Sequence, residues 1–420
     1  MRQEIIHTPE GVRDIYHTEC RKKIILENRL HKVLHHYGYT DIQTPTFEFY
    51  DVFRGEVGST ASKEMYKFFD REGNTLALRP DITPSIARAA ATLLDVENMP
   101  ARLCYKGSTF INHSSYQGRL KENTQMGAEQ IGMDSVEADA EMIAMAADCL
   151  KKAGLTEFQI NIGHVGFFES LIEDAKLEEE AEDRLRELIA NRNYFGADEL
   201  LATVDVKPSS REAFSRLPEL NGGVEILAEA RNTAPNAKAL MAVRRLEQIY
   251  DILEAYHVEE YVTFDLSMSG NYLYYTGIIF RGYTFGTGDA IVKGGRYDDL
   301  LAKFGKKAPS IGFAIVVDEL MNALARQKIS IPAGHKNTLV IYDEPRQRDA
   351  ISLVSELRGN EKNAELLKKE PDRDLENYSG YGRSNLCGTL LYLKESGEIV
   401  MTELFTGVTK TMKSKEQEAK

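Results

Sequence analysis

Gln117-Gly118-Arg119-Leu120-Lys121-Glu122-Asn123-Thr124-Gln125-Met126-Gly127-Ala128-Glu129 is the stretch on which the reading of the fold turns. In an extended chain successive side chains point to opposite faces, so Asn123, Gln125, Gly127 and Glu129 share one face. An amide and a carboxylate four residues apart on one face can hold a small polar ligand, although a solvated strand face has the same pattern. Upstream lies Leu78-Arg79-Pro80-Asp81-Ile82-Thr83, with Arg88 beyond it. Pro80 breaks a short strand, and the loop then offers a carboxylate and a hydroxyl side by side, a pair suited to an ammonium group. Asp and Thr are also favoured helix caps, so capping of a helix over Pro84–Ala91 competes with ligand binding, and the two are compatible. Downstream, Tyr274-Tyr275-Thr276-Gly277 precedes Lys293-Gly294-Gly295-Arg296-Tyr297-Asp298-Asp299-Leu300. The glycines let backbone approach a ligand or another strand, and Arg296 suits a carboxylate or phosphate. Neither GxxxxGK[ST] nor GxGxxG is present, and a Gly-Gly turn between strands is by itself the simpler reading.

Around these segments the periodicity alternates between helix and strand. Leu26, Leu30, Val33, Leu34 and Tyr37 form a helical stripe over Glu19–Tyr37, with Gly38 placed as a C-terminal cap. A second helix is predicted over Val136–Ala153, opened by Asp134 and Glu137 as a capping box and ended by Gly154. Strands are expected at Leu76–Leu78, Ala101–Tyr105, Phe158–Ile162, Tyr261–Leu266, Tyr274–Phe280, Asp289–Val292 and Ile311–Val317. Residues 168–256 are charged and helical, so one mixed domain over 1–330 with a helical insertion is the economical reading; two adjacent domains give the same pattern. Ile331-Pro332-Ala333-Gly334 reads as a linker. Residues 335–420 read as a small α/β domain, with strands Thr338–Tyr342, Thr389–Leu393 and Glu398–Glu403 and a helix near Arg348–Leu357.

Length and composition narrow the class. A chain of 420 residues is too long for one ordinary core. With 42% hydrophobic and 28% charged residues it has the balance of a soluble globular protein. A net charge of −13 disfavours bulk nucleic-acid binding, which relies on a basic face. Cys20, Cys104, Cys149 and Cys387 are far apart, with no CxxC pair and no metal-like clustering with histidine, so reduced thiols and no metal are expected. No run approaches the roughly 20 apolar residues of a membrane span, and Met1–Glu10 lacks the apolar core of a signal peptide. A cytoplasmic protein is expected.

Taken together and in order, the segments resemble a class II aminoacyl-tRNA synthetase core of the histidyl type. Thr44-Pro45-Thr46-Phe47-Glu48 and Ser62–Asp70 resemble its motif 1 region; Leu78–Thr83 resembles its LRPE-x-T stretch with Asp81 in place of Glu. Gln117–Glu129 resembles the latter part of motif 2, and Tyr274–Gly277 resembles the histidine-specific YYTG segment. Gly294–Asp298 and Ile311-Gly312-Phe313-Ala314 resemble the approach to motif 3. The match runs from Thr8 to Leu324. It implies an α+β fold: an antiparallel sheet flanked by helices, with a helical insertion and a small C-terminal α/β unit. It also implies self-dimerisation through the motif 1 region.

The departures carry the functional expectation. Amino-acid activation builds negative charge on the α-phosphate of ATP, and fixed positive charge must meet it. Where the family has its motif 2 arginine this chain has Ile111; at the histidine-specific arginine it has Gly270; at the motif 3 arginine it has Glu319. Each such loss is worth about 2.7–4 kcal/mol by analogy with removal of one oxyanion donor. The amino-acid pocket is retained: the resemblance assigns histidine contact to Asp81, Thr83, Arg119, Gln125, Glu129, Tyr274 and Tyr275, with Lys121 adding positive charge. A histidine site without activation chemistry resembles the family of ATP phosphoribosyltransferase regulatory subunits. That resemblance implies no catalytic residues of its own, no cofactor, and a hetero-oligomer with a short-form catalytic subunit that condenses ATP with phosphoribosyl pyrophosphate. Histidine then acts as feedback effector, without tRNA or membrane as partner. An active histidyl-tRNA synthetase, a stand-alone histidine-sensing paralogue and a scaffold with a vestigial pocket are the alternatives.

Overall fold

The computed structural model describes residues 7–413 except 55–59, 97, 115–118, 269–273 and 335–336. Gly270 and the Gln117-Gly118 pair therefore lie outside the described residues. The chain divides into two compact units, one of residues 1–13 with 26–330 and one of residues 14–25 with 331–420.

In the first unit, nine strands form one sheet. Their spatial order is Thr40–Asp41, Ala101–Phe110, Glu122–Ile131, Ser310–Val316, Val292–Arg296, Ile278–Thr284, Phe158–His164, Val262–Asp265 and Asn221–Gly222. Neighbours run antiparallel except at two places: Thr40–Asp41 lies parallel to Ala101–Phe110, and Phe158–His164 parallel to Val262–Asp265. The strands over 101–110 and 122–131 form a ten-residue ladder that pairs Leu103 with Glu129 and Gly107 with Gln125. On its other side Glu129 pairs with Gly312. Glu129 thus sits in the sheet interior.

The helix expected over Glu19–Tyr37 runs His17–His36 and buries Leu26, Leu30, Val33 and Leu34. It stops where Gly38, at φ +80°, turns the chain, and the Gly38 N–H donates to His35 O at 2.9 Å. The helix Val136–Ala153 has the expected bounds but a different cap. Ser135, in extended conformation, accepts from Ala138 N at 3.1 Å; Asp134 lies one residue too early to do so. The segment expected as a helical insertion over 168–256 contains helices from Val165–Ala175 to Ala237–Ala255, and Asn221–Gly222 within it supplies the sheet's edge strand. The strand expected over Tyr274–Phe280 begins only at Ile278. Thr276 meets the end of the neighbouring strand outside the regular ladder: its N–H donates to Arg296 O at 2.8 Å and its Oγ1 accepts from Asp298 N at 3.0 Å.

In the second unit a five-stranded sheet has the order Ala364–Lys368, Asn337–Tyr342, Cys387–Leu393, Glu398–Glu403 and Thr409–Lys413. Helices Gln347–Gly359 and Leu375–Ser384 belong to it, the latter opened by a capping box between Asp374 and Asn377.

Candidate functional site

A cavity of about 370 Å³ opens in the first unit over the strands at 122–131 and 310–316. All seven residues singled out from the sequence line it: Asp81, Thr83, Arg119, Gln125, Glu129, Tyr274 and Tyr275. Four different stretches of chain supply them. The loop before helix Thr83–Leu93 brings Asp81 and the helix's first residue is Thr83, the strand Glu122–Ile131 brings Gln125 and Glu129, Arg119 precedes that strand, and the turn before Ile278 brings the tyrosines.

The deep end is built around Glu129, which is 1% exposed. Thr83 Oγ1 donates to its Oε1 at 2.7 Å and Tyr297 OH to its Oε2 at 2.6 Å. Burial pushes the carboxyl up from 4.5 to about 8; those two hydrogen bonds oppose the shift and the neighbouring Asp81 charge adds to it. At neutral pH Glu129 is accordingly a neutral acid that can release its proton when a cation arrives. Gly312 makes the room: a Cβ there would land on Glu129 Oε2. Across the cavity Tyr274 OH donates to Asp81 Oδ2 at 2.9 Å. Helix Thr83–Leu93 starts at Ile82 without a side-chain cap; Asp81 reaches Thr83 N only at 3.4 Å, and the Thr83 hydroxyl is turned to Glu129. The capping alternative therefore accounts for little of this pair. Gln125 Oε1 is buried with no hydrogen-bond partner among the described residues, a costly state unless a ligand donates to it.

The mouth is where the sequence departed from the synthetase pattern. Ile111 and Glu319 both line the cavity, Glu319 from the first turn of helix Val317–Arg326. His113, Arg119, Asp289 and Lys293 complete this end, and Lys293 Nζ lies 3.1 Å from Asp289 Oδ2. Burial lowers the His113 pKa and Arg119 lowers it further, so this ring is neutral near pH 7. Lys121, expected to add charge here, is not among the lining residues.

Arg296 serves the fold instead of a ligand. It is 3% exposed, and its Nε and Nη2 donate to Asp139 Oδ1 at 2.9 and 2.6 Å, while Arg245 holds the other Asp139 oxygen at 2.7 Å. Sequence reading passed over Tyr297, Lys293 and His113. Tyr297 follows Arg296 in the Gly294-Gly295-Arg296-Tyr297 run, where the charged neighbour is the stronger binding signal.

The histidyl-tRNA synthetase family profile matches residues 11–320. An ATP phosphoribosyltransferase regulatory subunit from Acetivibrio thermocellus is 41% identical over 353 residues, 84% of either chain. Another of that description, from Ruminiclostridium cellulolyticum, is 36% identical over 404 residues, 96% of either chain. A crystal structure described as an ATP phosphoribosyltransferase regulatory subunit/histidyl-tRNA synthetase from Bacillus halodurans superposes with a TM-score of 0.81 at 32% identity. It covers 93% of this chain and 97% of its own. The fold is thus that of the class II, histidyl-tRNA synthetase-like proteins. Within that class the chain belongs to the family of ATP phosphoribosyltransferase regulatory subunits.

Proposed function

We propose that the chain acts as a regulatory, non-catalytic subunit: it joins a short-form ATP phosphoribosyltransferase catalytic subunit in the first step of histidine biosynthesis and carries feedback by histidine. The observation that carries this reading is the asymmetry of one cavity. Its deep end presents Glu129, Thr83, Gln125, Asp81, Tyr274 and Tyr275 to an amino acid, while its mouth has Ile111 and Glu319 where activation needs cations. In this reading Asp81 and Gln125 hold the α-ammonium, Glu129 and the tyrosines meet the imidazole, and Arg119 faces the carboxylate. Feedback follows only if histidine binds one state of the complex better than another.

Cytoplasmic location and the absence of tRNA from the cycle belong to the same proposal, as does a division into domains at 1–330 and 335–420. Among the described residues no helix is long and apolar enough to cross a membrane. Self-dimerisation through the motif 1 region is supported by a small sheet of Phe47–Phe49, Thr75–Leu78 and Lys67–Phe69, which leaves Phe47, Phe49, Phe68 and Phe69 exposed.

The test is phosphoribosyl-ATP formation by the short catalytic subunit from the same genome, with and without this chain, across a histidine titration. A rate change on adding the chain, with histidine inhibition that depends on it, is the expected result. No effect of either kind would overturn the regulatory reading in favour of a stand-alone sensor.

A further inference from the structure

Away from the cavity, the fold gathers four side chains that sequence reading kept apart. His31 and His35 stand one turn apart on helix His17–His36, so both rings project from one face. Their centroids are 4.1 Å apart. After the Gly38 turn the chain enters the edge strand, whose parallel register sets Asp41 beside Cys104. In a parallel pair, register partners project to the same face, so carboxylate and thiol both meet the two imidazoles. His31 Nε2 lies 2.6 Å from Asp41 Oδ1 and His35 Nε2 lies 3.0 Å from Oδ2; Cys104 Sγ is 3.6 Å from Oδ1. One ligand atom from each of the four residues falls within 4.8 Å of all the others. The expectation that no cysteine clusters with histidine is thereby corrected: residues 31, 35, 41 and 104 are distant in sequence and adjacent in space. The missed signal was the i, i+4 histidine pair.

We propose that His31, His35, Asp41 and Cys104 form a binding site for a divalent transition metal ion of the zinc class. The donor set is two imidazole nitrogens, a carboxylate oxygen and a sulfur, which suits zinc or cobalt and is too soft and nitrogen-rich for magnesium or calcium. Tetrahedral zinc with bonds of about 2.0–2.3 Å needs ligand atoms about 3.3–3.8 Å apart. The four atoms here bracket that range, so an ion entering between Asp41 and the two Nε2 atoms needs shifts of about 1 Å or less. His35 and Asp41 are exposed and free to make them, while buried Cys104 fixes the position of the site. Four protein donors leave no open coordination position, which marks a structural site rather than a catalytic one. A bound ion would pin the C-terminal end of helix His17–His36 to the edge of the main sheet.

The site can be tested on the untagged, chelator-stripped full chain titrated with cobalt(II) and then with zinc. The expected result is one equivalent of cobalt, a thiolate-to-cobalt charge-transfer band with intense four-coordinate visible bands, and displacement of both by zinc. Cys104→Ser should lose the charge-transfer band. Because that buried variant can disturb the fold, the exposed variants His35→Gln and Asp41→Asn provide the second measure. Each should weaken zinc by more than the about 10–100-fold that loss of a merely supporting hydrogen bond costs. Zinc should also raise the unfolding midpoint of the unaltered chain and not that of His35→Gln. The proposal is overturned if cobalt gives no charge-transfer band or if the band survives in Cys104→Ser. Equal zinc affinity of His35→Gln and the unaltered chain, or stabilisation by zinc without the band, would overturn it as well.

Discussion

Replacing Glu129 by glutamine separates the charge of the buried carboxyl from its shape. The protonated acid has one O–H donor and one carbonyl acceptor, so one of the two hydroxyls, Thr83 or Tyr297, turns to accept; the amide offers the same pattern, so the variant mimics the neutral state. In the fold the carboxyl sits at about 8, because burial raises it, against 4.5 for an unburied one. Each pH unit of that difference is worth about 1.4 kcal/mol, so holding Glu129 ionised costs roughly 5 kcal/mol at pH 9 and above. Below about pH 4.5 folded and unfolded chains both carry the proton. From there up through about 8 the folded chain keeps a proton that the unfolded chain has lost, so wild-type stability falls as pH rises, then levels off. Glu129→Gln lacks this slope. Other groups titrate equally in both proteins, so the difference between them isolates Glu129. Urea unfolding followed by far-ultraviolet circular dichroism should show the variant gaining about 3 kcal/mol over wild type between pH 5.5 and 8.5. A difference that stays constant over this range would refute the claim that burial governs this carboxyl.

Three further substitutions probe the same architecture. Gly312→Ala puts a Cβ onto Glu129 Oε2 and within 2.7 Å of Ala128 O; it should destabilise by about 1–3 kcal/mol and remove the heat of histidine binding in calorimetry. Asp139→Asn leaves buried Arg296 and half-buried Arg245 against a neutral amide, with Asp298 and Asp134 as their remaining carboxylates at 3.1 and 3.0 Å, and should cost about 1–3 kcal/mol in thermal or urea unfolding; no loss would mean that the remaining carboxylates suffice. Ile111→Arg alone should give no histidine-dependent ATP–pyrophosphate exchange, since Glu319 still presents the wrong sign at the same mouth. Measurable exchange would show that one restored cation is enough.

The sheet was legible where alternation and burial agree. In Ser310–Val316 the buried Ile311, Phe313 and Ile315 share one face, so a period of two survives in the sequence; Glu122–Ile131 is buried on both faces over its last six residues and shows no apolar alternation, so only its polar spacing marked it. Helix Val136–Ala153 was legible for the same reason at period 3.6, yet its cap was misplaced by one residue because Asp134 and Ser135 are both good caps and only backbone conformation chooses between them. Tyr274 and Tyr275 have strong strand propensity, but Thr276 is tied to Arg296 and Asp298, and those long-range bonds leave no local trace. Helix Leu375–Ser384 went unread because Gly380 and Gly382 lower its propensity; in the fold Gly382 lets Leu404 approach. Local chemistry marked Asp81 with Thr83 and Gln125 with Glu129 as two separate pairs; their joining with Arg119, Tyr274 and Tyr275 into one histidine pocket came from resemblance. Spacing alone could not have joined positions 81, 129 and 274, which meet through sheet order. Arg296 was misjudged because a buried internal ion pair and a ligand-binding arginine have the same letter; only Asp139, on a helix over 150 residues away, tells them apart.

Glu319 stands in the first turn of helix Val317–Arg326, beside Asp318, where the helix macrodipole favours a negative side chain by about 0.3–1 kcal/mol and disfavours a positive one. Installing a cation there therefore runs uphill in folding, whatever it does for the chemistry at the mouth. Stability and the charge that activation needs pull in opposite directions at this one position, so a chain rebuilt toward activation passes first through a less stable one.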